Sequence, residues 1–146
     1  MIRQARIEDL PRLWEYARES FSQSRFLKRF ELERFCGLWT ALLEQGAGGV
    51  FVLEDEAEEL AGALMGVVYP EPYSDELTAT EFAWFVRPGH RGEGIRLYRA
   101  FEQWARERGC ARIRMVHLTD VMPAKLANVY RRLGFEPAEV HYVKEL

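Results

Sequence analysis

The residues best suited to binding or catalysis lie in one short segment near the middle of the chain, residues 87–99. Its glycines are Gly89, Gly92 and Gly94, and its basic residues are Arg87, His90, Arg91, Arg96 and Arg99, opposed by Glu93 alone. Glycine allows a sharp turn and a close backbone approach, and the planar guanidinium suits phosphate oxygens. Because the chain as a whole carries a net charge of −3, the segment is a local enrichment of positive charge. It predicts a phosphate site.

The elements on either side of this segment strengthen the prediction. Residues 81–86 are aromatic and apolar, as in a buried strand, and Pro88 ends that strand because proline cannot donate to a sheet. After Gly94, apolar residues recur with helical spacing up to Gly109. A strand that runs through a glycine loop into a helix points free N–H groups and the positive end of the helix dipole at one place. The alternative is an ordinary turn with solvated arginines, since a glycine loop alone is a weak signal.

Two other phosphate loops are excluded. A dinucleotide-binding fingerprint needs a third glycine where Leu97 stands, and a Walker loop needs a Gly-Lys-Ser/Thr run that is absent from the sequence.

Two motifs together resemble a known family. The run Val86-x-Pro88-x-x-Arg91-Gly92-x-Gly94-Ile95 is similar to the acetyl-CoA loop of the GNAT family of N-acetyltransferases, and 130–135 (Tyr-Arg-Arg-Leu-Gly-Phe) resembles the Tyr-x-x-x-Gly-Phe ending of that family. The sequence departs from the family pattern at Gly89, Arg96 and Pro123. The order and separation of the motifs match, and the resemblance spans almost the whole chain.

The resemblance implies that acetyl-CoA is the co-substrate and that N–H groups of 91–95 hold its diphosphate. A backbone N–H near Phe85 or Val86 would polarise the thioester carbonyl. The expected cofactor-binding residues are Phe85, Val86, Arg87, Arg91, Gly92, Glu93, Gly94, Ile95, Arg96, Asn128 and Tyr130.

The resemblance also assigns the proton transfers. Tyr130 matches the tyrosine that protonates the leaving thiolate, although it shares a helix face with Leu126 and Leu133 and could simply pack there. Glu81 is the expected general base, with a solvated strand end as the alternative role. His117 and Asp120 are competing bases, and an amine that arrives deprotonated would need none.

The element order predicts the fold. Strands are expected at 2–6, 50–53, 60–69, 81–86 and 112–118, with a last strand pair or one bent strand at 135–143. Four helices are expected: one that begins at residue 10, a second that ends near residue 46, a third at 94–109 and a fourth at 123–133. The resulting order β-α-α-β-β-β-α-β-α-β resembles the GNAT acyl-CoA N-acyltransferase fold. That fold is α+β, a central mixed sheet flanked by about four helices and splayed between the strands at 81–86 and 112–119. Residues 1–146 are predicted to form a single domain of this kind.

Composition limits the remaining possibilities. Two distant cysteines, no signal-peptide pattern and no long apolar run predict a cytoplasmic protein without a metal site or a membrane span. Mild acidity gives no support for nucleic-acid binding. A homodimer through the last strands is possible. The leading function is acetyl-CoA-dependent acetylation of a primary amine on a small molecule or peptide, and the alternative is a non-catalytic acyl-CoA-binding regulatory or structural module.

Overall fold

The computed structural model describes residues 1–121 and 123–146. The strands are β1 (Ile2–Gln4), β2 (Gly48–Glu54), β3 (Leu60–Pro70), β4 (Leu77–Val86) and β5 (Cys110–Arg114), and the helices are α1 (Leu10–Ser20), α2 (Leu32–Glu44), α3 (Gly94–Glu107) and α4 (Pro123–Arg132). The strands form one sheet in the order β1-β2-β3-β4-β5. Neighbours from β1 to β4 are antiparallel, whereas β4 and β5 are parallel. The predicted fold class, a mixed sheet with four helices, is confirmed.

Helices cover both faces of this sheet. The apolar sides of α1 and α2 pack on one face, around Leu13, Trp39 and Phe85. On the other face, α3 contributes Leu97, Phe101 and Trp104 to a second cluster. The approach of α3 is close, because a Cβ on Gly66 would lie 2.6 Å from the Phe101 ring. Burial of these two apolar faces is what holds the central strand β4 in place.

Strand β4 contains a bulge at its centre. Met65 of β3 is opposite Ala83, but the next residue, Gly66, is opposite Glu81, so Phe82 is the additional residue. A bulge of this kind changes which side chains face each helix layer. Ala79 packs in the cluster of α3, whereas Ala83 packs in the cluster of α1 and α2.

The sheet opens between β4 and β5. The parallel pairing runs only from Leu77 opposite Cys110 to Thr80 opposite Arg114, and beyond that point the strands diverge. An ion-pair cluster holds the paired end: Glu71, in the turn after β3, is 2.9 Å from both Arg112 and Arg114, and Arg112 also reaches Glu76 at 2.6 Å. The open edge of β4 therefore begins at residue 81.

The C-terminal prediction was wrong. Residues 135–143 form no strand in the described structure, so the chain does not end on a β element. The ring of Phe135 is fixed against Tyr98 and Tyr130, with centroids 5.7 and 5.6 Å away, and every residue after it is exposed. Strand β5 also differs from the predicted 112–118, because it starts at Cys110 and ends where its pairing with β4 ends. Alternation in sequence indicates a strand only where a partner edge is available.

No helix among the described residues has both the length and the apolar character that crossing a membrane requires.

Candidate active site

The loop between β4 and α3 presents unpaired backbone donors. Within the described residues, the N–H groups of Arg91, Gly92, Gly94 and Ile95 make no hydrogen bond, and the side chain of the N-cap residue Glu93 accepts none from the helix backbone. The N–H of Glu93 differs, since it donates to His90 O at 2.9 Å and is unavailable as the donor that was predicted. The positive end of the 14-residue helix α3 lies behind the four free groups. This arrangement favours an anion.

Gly94 allows the helix to begin directly on the sheet. It is buried, and a Cβ there would lie 3.2 Å from Val86 Cγ2 and 3.5 Å from the Trp84 indole. A larger residue would move the start of α3 away from β4. The glycine therefore fixes the distance between the free N–H groups and the open edge of the sheet.

Charged side chains around the loop are partly committed to one another. The Glu93 carboxylate lies 3.0 Å from His90 Nδ1 and 2.9 Å from Arg96, and His90 is the main cause that lowers the pKa of Glu93. The Arg87 guanidinium lies over the Tyr16 ring of α1, 5.2 Å from its centroid. Arg91 is exposed and has no ion-pair partner among the described residues. Of the predicted phosphate-binding arginines, Arg91 is the one whose charge is directly available.

Backbone direction along β4 distinguishes the two predicted donors to a carbonyl. The N–H of Arg87 donates to Ala61 O at 2.8 Å. Because donors alternate in an antiparallel ladder, the N–H of Phe85 points toward β3, whereas that of Val86 points toward the open edge. Val86 is thus positioned to donate to a group in the opening, and Phe85 is not.

Glu81 lies at the point where the sheet opens. Its side chain is buried, with the residue only 4% exposed, and Oε2 accepts a hydrogen bond from Val116 N–H at 2.8 Å. Burial raises the pKa of Glu81 to about 8, and the bond from Val116 opposes that rise in part. A carboxyl group with this pKa exchanges its proton near neutral pH, as a general base must.

Tyr130, on α4, binds the same residue, Val116. Its hydroxyl donates to Val116 O at 2.6 Å. Burial, followed by the charge of Glu81, raises the pKa of Tyr130, so the phenol remains protonated at neutral pH. Its ring also lies 6.2 Å from the Trp84 ring and 5.6 Å from the Phe135 ring. The aromatic contacts fix the direction of the hydroxyl.

Val116 explains why these two side chains meet. The N–H and C=O of one residue in an extended chain point to the same side. Val116 follows β5 where β4 has already diverged, so its backbone groups lack a strand partner and are satisfied by Glu81 and Tyr130 instead. Sequence reasoning missed Val116, because nothing in an apolar residue indicates that its backbone binds two functional side chains.

The other predicted residues lie in different settings. Asp120 is occupied by Ser24 Oγ at 3.2 Å and Arg25 N–H at 2.9 Å, which leaves it poorly placed as a base. His117 has a buried Nε2 without a partner among the described residues, and its ring lies 6.5 Å from that of Tyr130. Asn128 is exposed on α4 and accepts a bond from Arg131 at 3.3 Å.

The family follows from comparison of the whole sequence. The model of the acetyltransferase (GNAT) family matches residues 10–135, which include the glycine loop, Glu81 and Tyr130. The chain belongs to the acetyltransferase (GNAT) family. Acyltransferase activity is implied by that membership. Comparison with curated proteins gave no match.

Solved structures share the fold of this GNAT chain. A transcriptional regulator from Bacillus halodurans is 21% identical with a TM-score of 0.81, over 100% of this chain and 99% of that one. Glucosamine-6-phosphate N-acetyltransferase from Arabidopsis thaliana is 14% identical with a TM-score of 0.74, over 99% and 97%. Ribosomal-protein-alanine N-acetyltransferase from Brucella melitensis is 19% identical with a TM-score of 0.72, over 100% and 99%. At these identities the likeness concerns the fold alone.

Proposed function

We propose that this GNAT protein is an acetyl-CoA-dependent N-acetyltransferase that transfers the acetyl group directly to a primary amine of a small molecule or peptide. The observation that carries the proposal is the meeting of Glu81 and Tyr130 on the backbone of Val116, at the open edge of β4. When bound, acetyl-CoA supplies an acetyl group activated as a thioester.

The loop fits the diphosphate of this co-substrate. Four unpaired N–H groups and the exposed Arg91 provide donors for phosphate oxygens, and the close packing of Gly94 keeps them beside the opening. Arg96 would join them after exchanging Glu93 for phosphate. Val86 N–H, which points into the opening, would polarise the acetyl carbonyl.

Glu81 would take the proton of the acceptor amine. Burial raises the pKa of Glu81 to about 8, close to the pH at which a general base must exchange its proton. The hydrogen bond from Val116 N–H orients the carboxylate. Glu81 directly follows Thr80, the last residue of β4 that pairs with β5, so it lies at the inner end of the opening.

Tyr130 would hold the proton that the leaving thiolate receives. The hydroxyl now donates to Val116 O, so it must turn from that carbonyl to donate elsewhere. The raised pKa keeps the proton on the phenol until a basic acceptor is present.

Two measurements test the proposal. Calorimetric titration with acetyl-CoA should show one site per chain, and the release of free thiol with a panel of amines should identify turnover. A protein that binds acetyl-CoA but releases no thiol with any amine is a binding module and contradicts the enzymatic proposal. The fold alone does not decide this, because a transcriptional regulator shares it.

A further inference from the structure

Strand β5 is one edge of the sheet, and part of its backbone has no partner. Val116, which continues β5, directs its N–H toward Glu81 of β4. Because backbone groups alternate in direction along an extended chain, those of Arg114 also face β4, whereas those of Ile113 and Met115 face away from it. Among the described residues, Ile113 and Met115 make no hydrogen bond on this outer side. An unpaired edge of this kind can accept another strand.

The last residues of the chain, 136–146, form an exposed segment that we refer to as the tail. Its backbone N–H and C=O groups make no hydrogen bond to any described residue. Its side chains Val140, Tyr142 and Val143 are 77%, 94% and 68% exposed. Valine and tyrosine favour strands, and so many large apolar side chains close together in water indicate an interaction surface.

Contacts at both ends place the tail on the β5 side of the molecule. Phe135, directly before the tail, packs against α3 on one face of the sheet. Near the other end, Glu145 Oε1 lies 2.8 Å from Lys28 Nζ, in the connection between α1 and α2. The segment that follows β5 contacts the same connection, because Asp120 accepts a hydrogen bond from Arg25 N–H at 2.9 Å. The tail therefore passes the β5 end of the sheet without pairing with its own β5.

The surface available suits a second copy of the chain. With Leu146 included, the exposed apolar side chains of the tail offer on the order of 500 Å². A stable dimer buries about 800 Å² on each partner. Under twofold symmetry each chain gives a tail and receives one, so the β5 edge adds to the area buried on both partners. The chain itself carries both complementary parts, an unpaired edge and a segment that favours a strand.

We propose that the protein is a homodimer in which the tail of each chain forms a strand on the β5 edge of the other chain. The tail backbone bonds to the outward groups of Ile113 and Met115, and the side chains of Val140 and Tyr142 leave water. Since Val116 continues β5, the added strand lies next to the residue on which Glu81 and Tyr130 meet.

The first test measures mass by light scattering after gel filtration. In the micromolar range the wild-type protein should have twice the chain mass of 17.1 kDa. The double variant Val140→Lys/Tyr142→Lys should raise the dissociation constant at least about 100-fold, because burial of each large apolar side chain contributes about tenfold or more and the twofold axis repeats each change. Both residues are exposed in the single chain, so the variant should fold as the wild type does. Tyr73→Lys is the matched control, because Tyr73 is 97% exposed in the β3–β4 turn, outside the proposed interface.

The second test measures hydrogen exchange of backbone amides by NMR and needs no variant. The amides of Ile113 and Met115 should be protected at concentrations where the protein is a dimer and should exchange quickly after dilution to the monomer. The amide of Arg114 is the internal control, since it faces β4 and should stay protected at both concentrations.

Either test can overturn the proposal. A wild-type protein that stays monomeric contradicts it, and so does a dimer that the double variant leaves intact or that Tyr73→Lys weakens equally. A dimer whose Ile113 and Met115 amides exchange quickly would mean that the tails pair with each other instead. Protection of these amides in the monomer would mean that the tail pairs with β5 of its own chain. Neither test involves acetyl-CoA or an amine, so the proposed function stands or falls separately.

Discussion

Replacing Glu81 by glutamine removes the proton acceptor and changes little else. The amide oxygen can still accept the hydrogen bond of 2.8 Å from Val116 N–H, and the side chain keeps its volume in a site that is 4% exposed. The difference between the two proteins therefore isolates the ionisation of one carboxyl group. Its pKa of about 8 determines where that difference becomes visible.

The kinetic consequence follows from the ionised fraction. With a pKa of about 8, Glu81 is roughly one-tenth ionised at pH 7, half ionised at pH 8 and nine-tenths ionised at pH 9. If only the carboxylate accepts the proton, the ratio of kcat/KM for wild type over Glu81→Gln should rise about tenfold from pH 7 to pH 9. Ionisation of the amine cancels in this ratio, because both proteins receive the same substrate at the same pH.

A second measurement needs no substrate. Because the folded-state pKa of Glu81 is raised above the unfolded value of 4.5, the neutral form favours folding, and this stability is lost as pH rises from about 4.5 through about 8. Relative to Glu81→Gln, the wild-type free energy of unfolding should fall by roughly 1.4 kcal/mol per pH unit across that window. Urea unfolding at several pH values measures it.

The two assays together can refute the argument. A flat stability difference between pH 5 and pH 9 would show that Glu81 titrates as an ordinary exposed carboxyl group, and the burial argument would fail. A sloping stability difference with a flat kinetic ratio would confirm the burial and remove Glu81 as the base, leaving His117 as the remaining nearby candidate.

Three further substitutions test other parts of the site. Tyr130→Phe should lower kcat about 100-fold with unchanged acetyl-CoA affinity in calorimetry, because only the proton donor is lost; an equal loss of affinity would assign Tyr130 to binding instead. Glu93→Gln should tighten acetyl-CoA binding about threefold at low salt and less at high salt, since it removes a negative charge beside the free N–H groups; weaker binding would place the diphosphate elsewhere. Gly94→Ala should weaken acetyl-CoA binding about tenfold and lower stability by about 1 kcal/mol, because its Cβ would crowd Val86 at 3.2 Å; unchanged affinity would contradict the assigned role of this close packing.

Local sequence patterns predicted an element correctly where the residues that specify the element lie within one segment. The glycine loop followed by an amphipathic run predicted the start of α3, and α3 begins at Gly94. The prediction failed for 135–143, because no strand of the described sheet pairs with this segment. Local sequence specifies what a segment can form, and its neighbours decide whether it does so.

The sequence by itself determined the family, the phosphate-type loop and the two candidate proton-transfer residues, because each depends on residue types at fixed spacing. Only the tertiary structure decided that Glu81 and Tyr130 meet on Val116, that Val86 rather than Phe85 offers its N–H to the opening, and that the Phe82 ring is left exposed. The physical reason is the divergence of β5 from β4 together with the bulge at Phe82. Both features concern how two strands pair, and the pairing of distant segments depends on both of them, so the sequence of one segment cannot predict it.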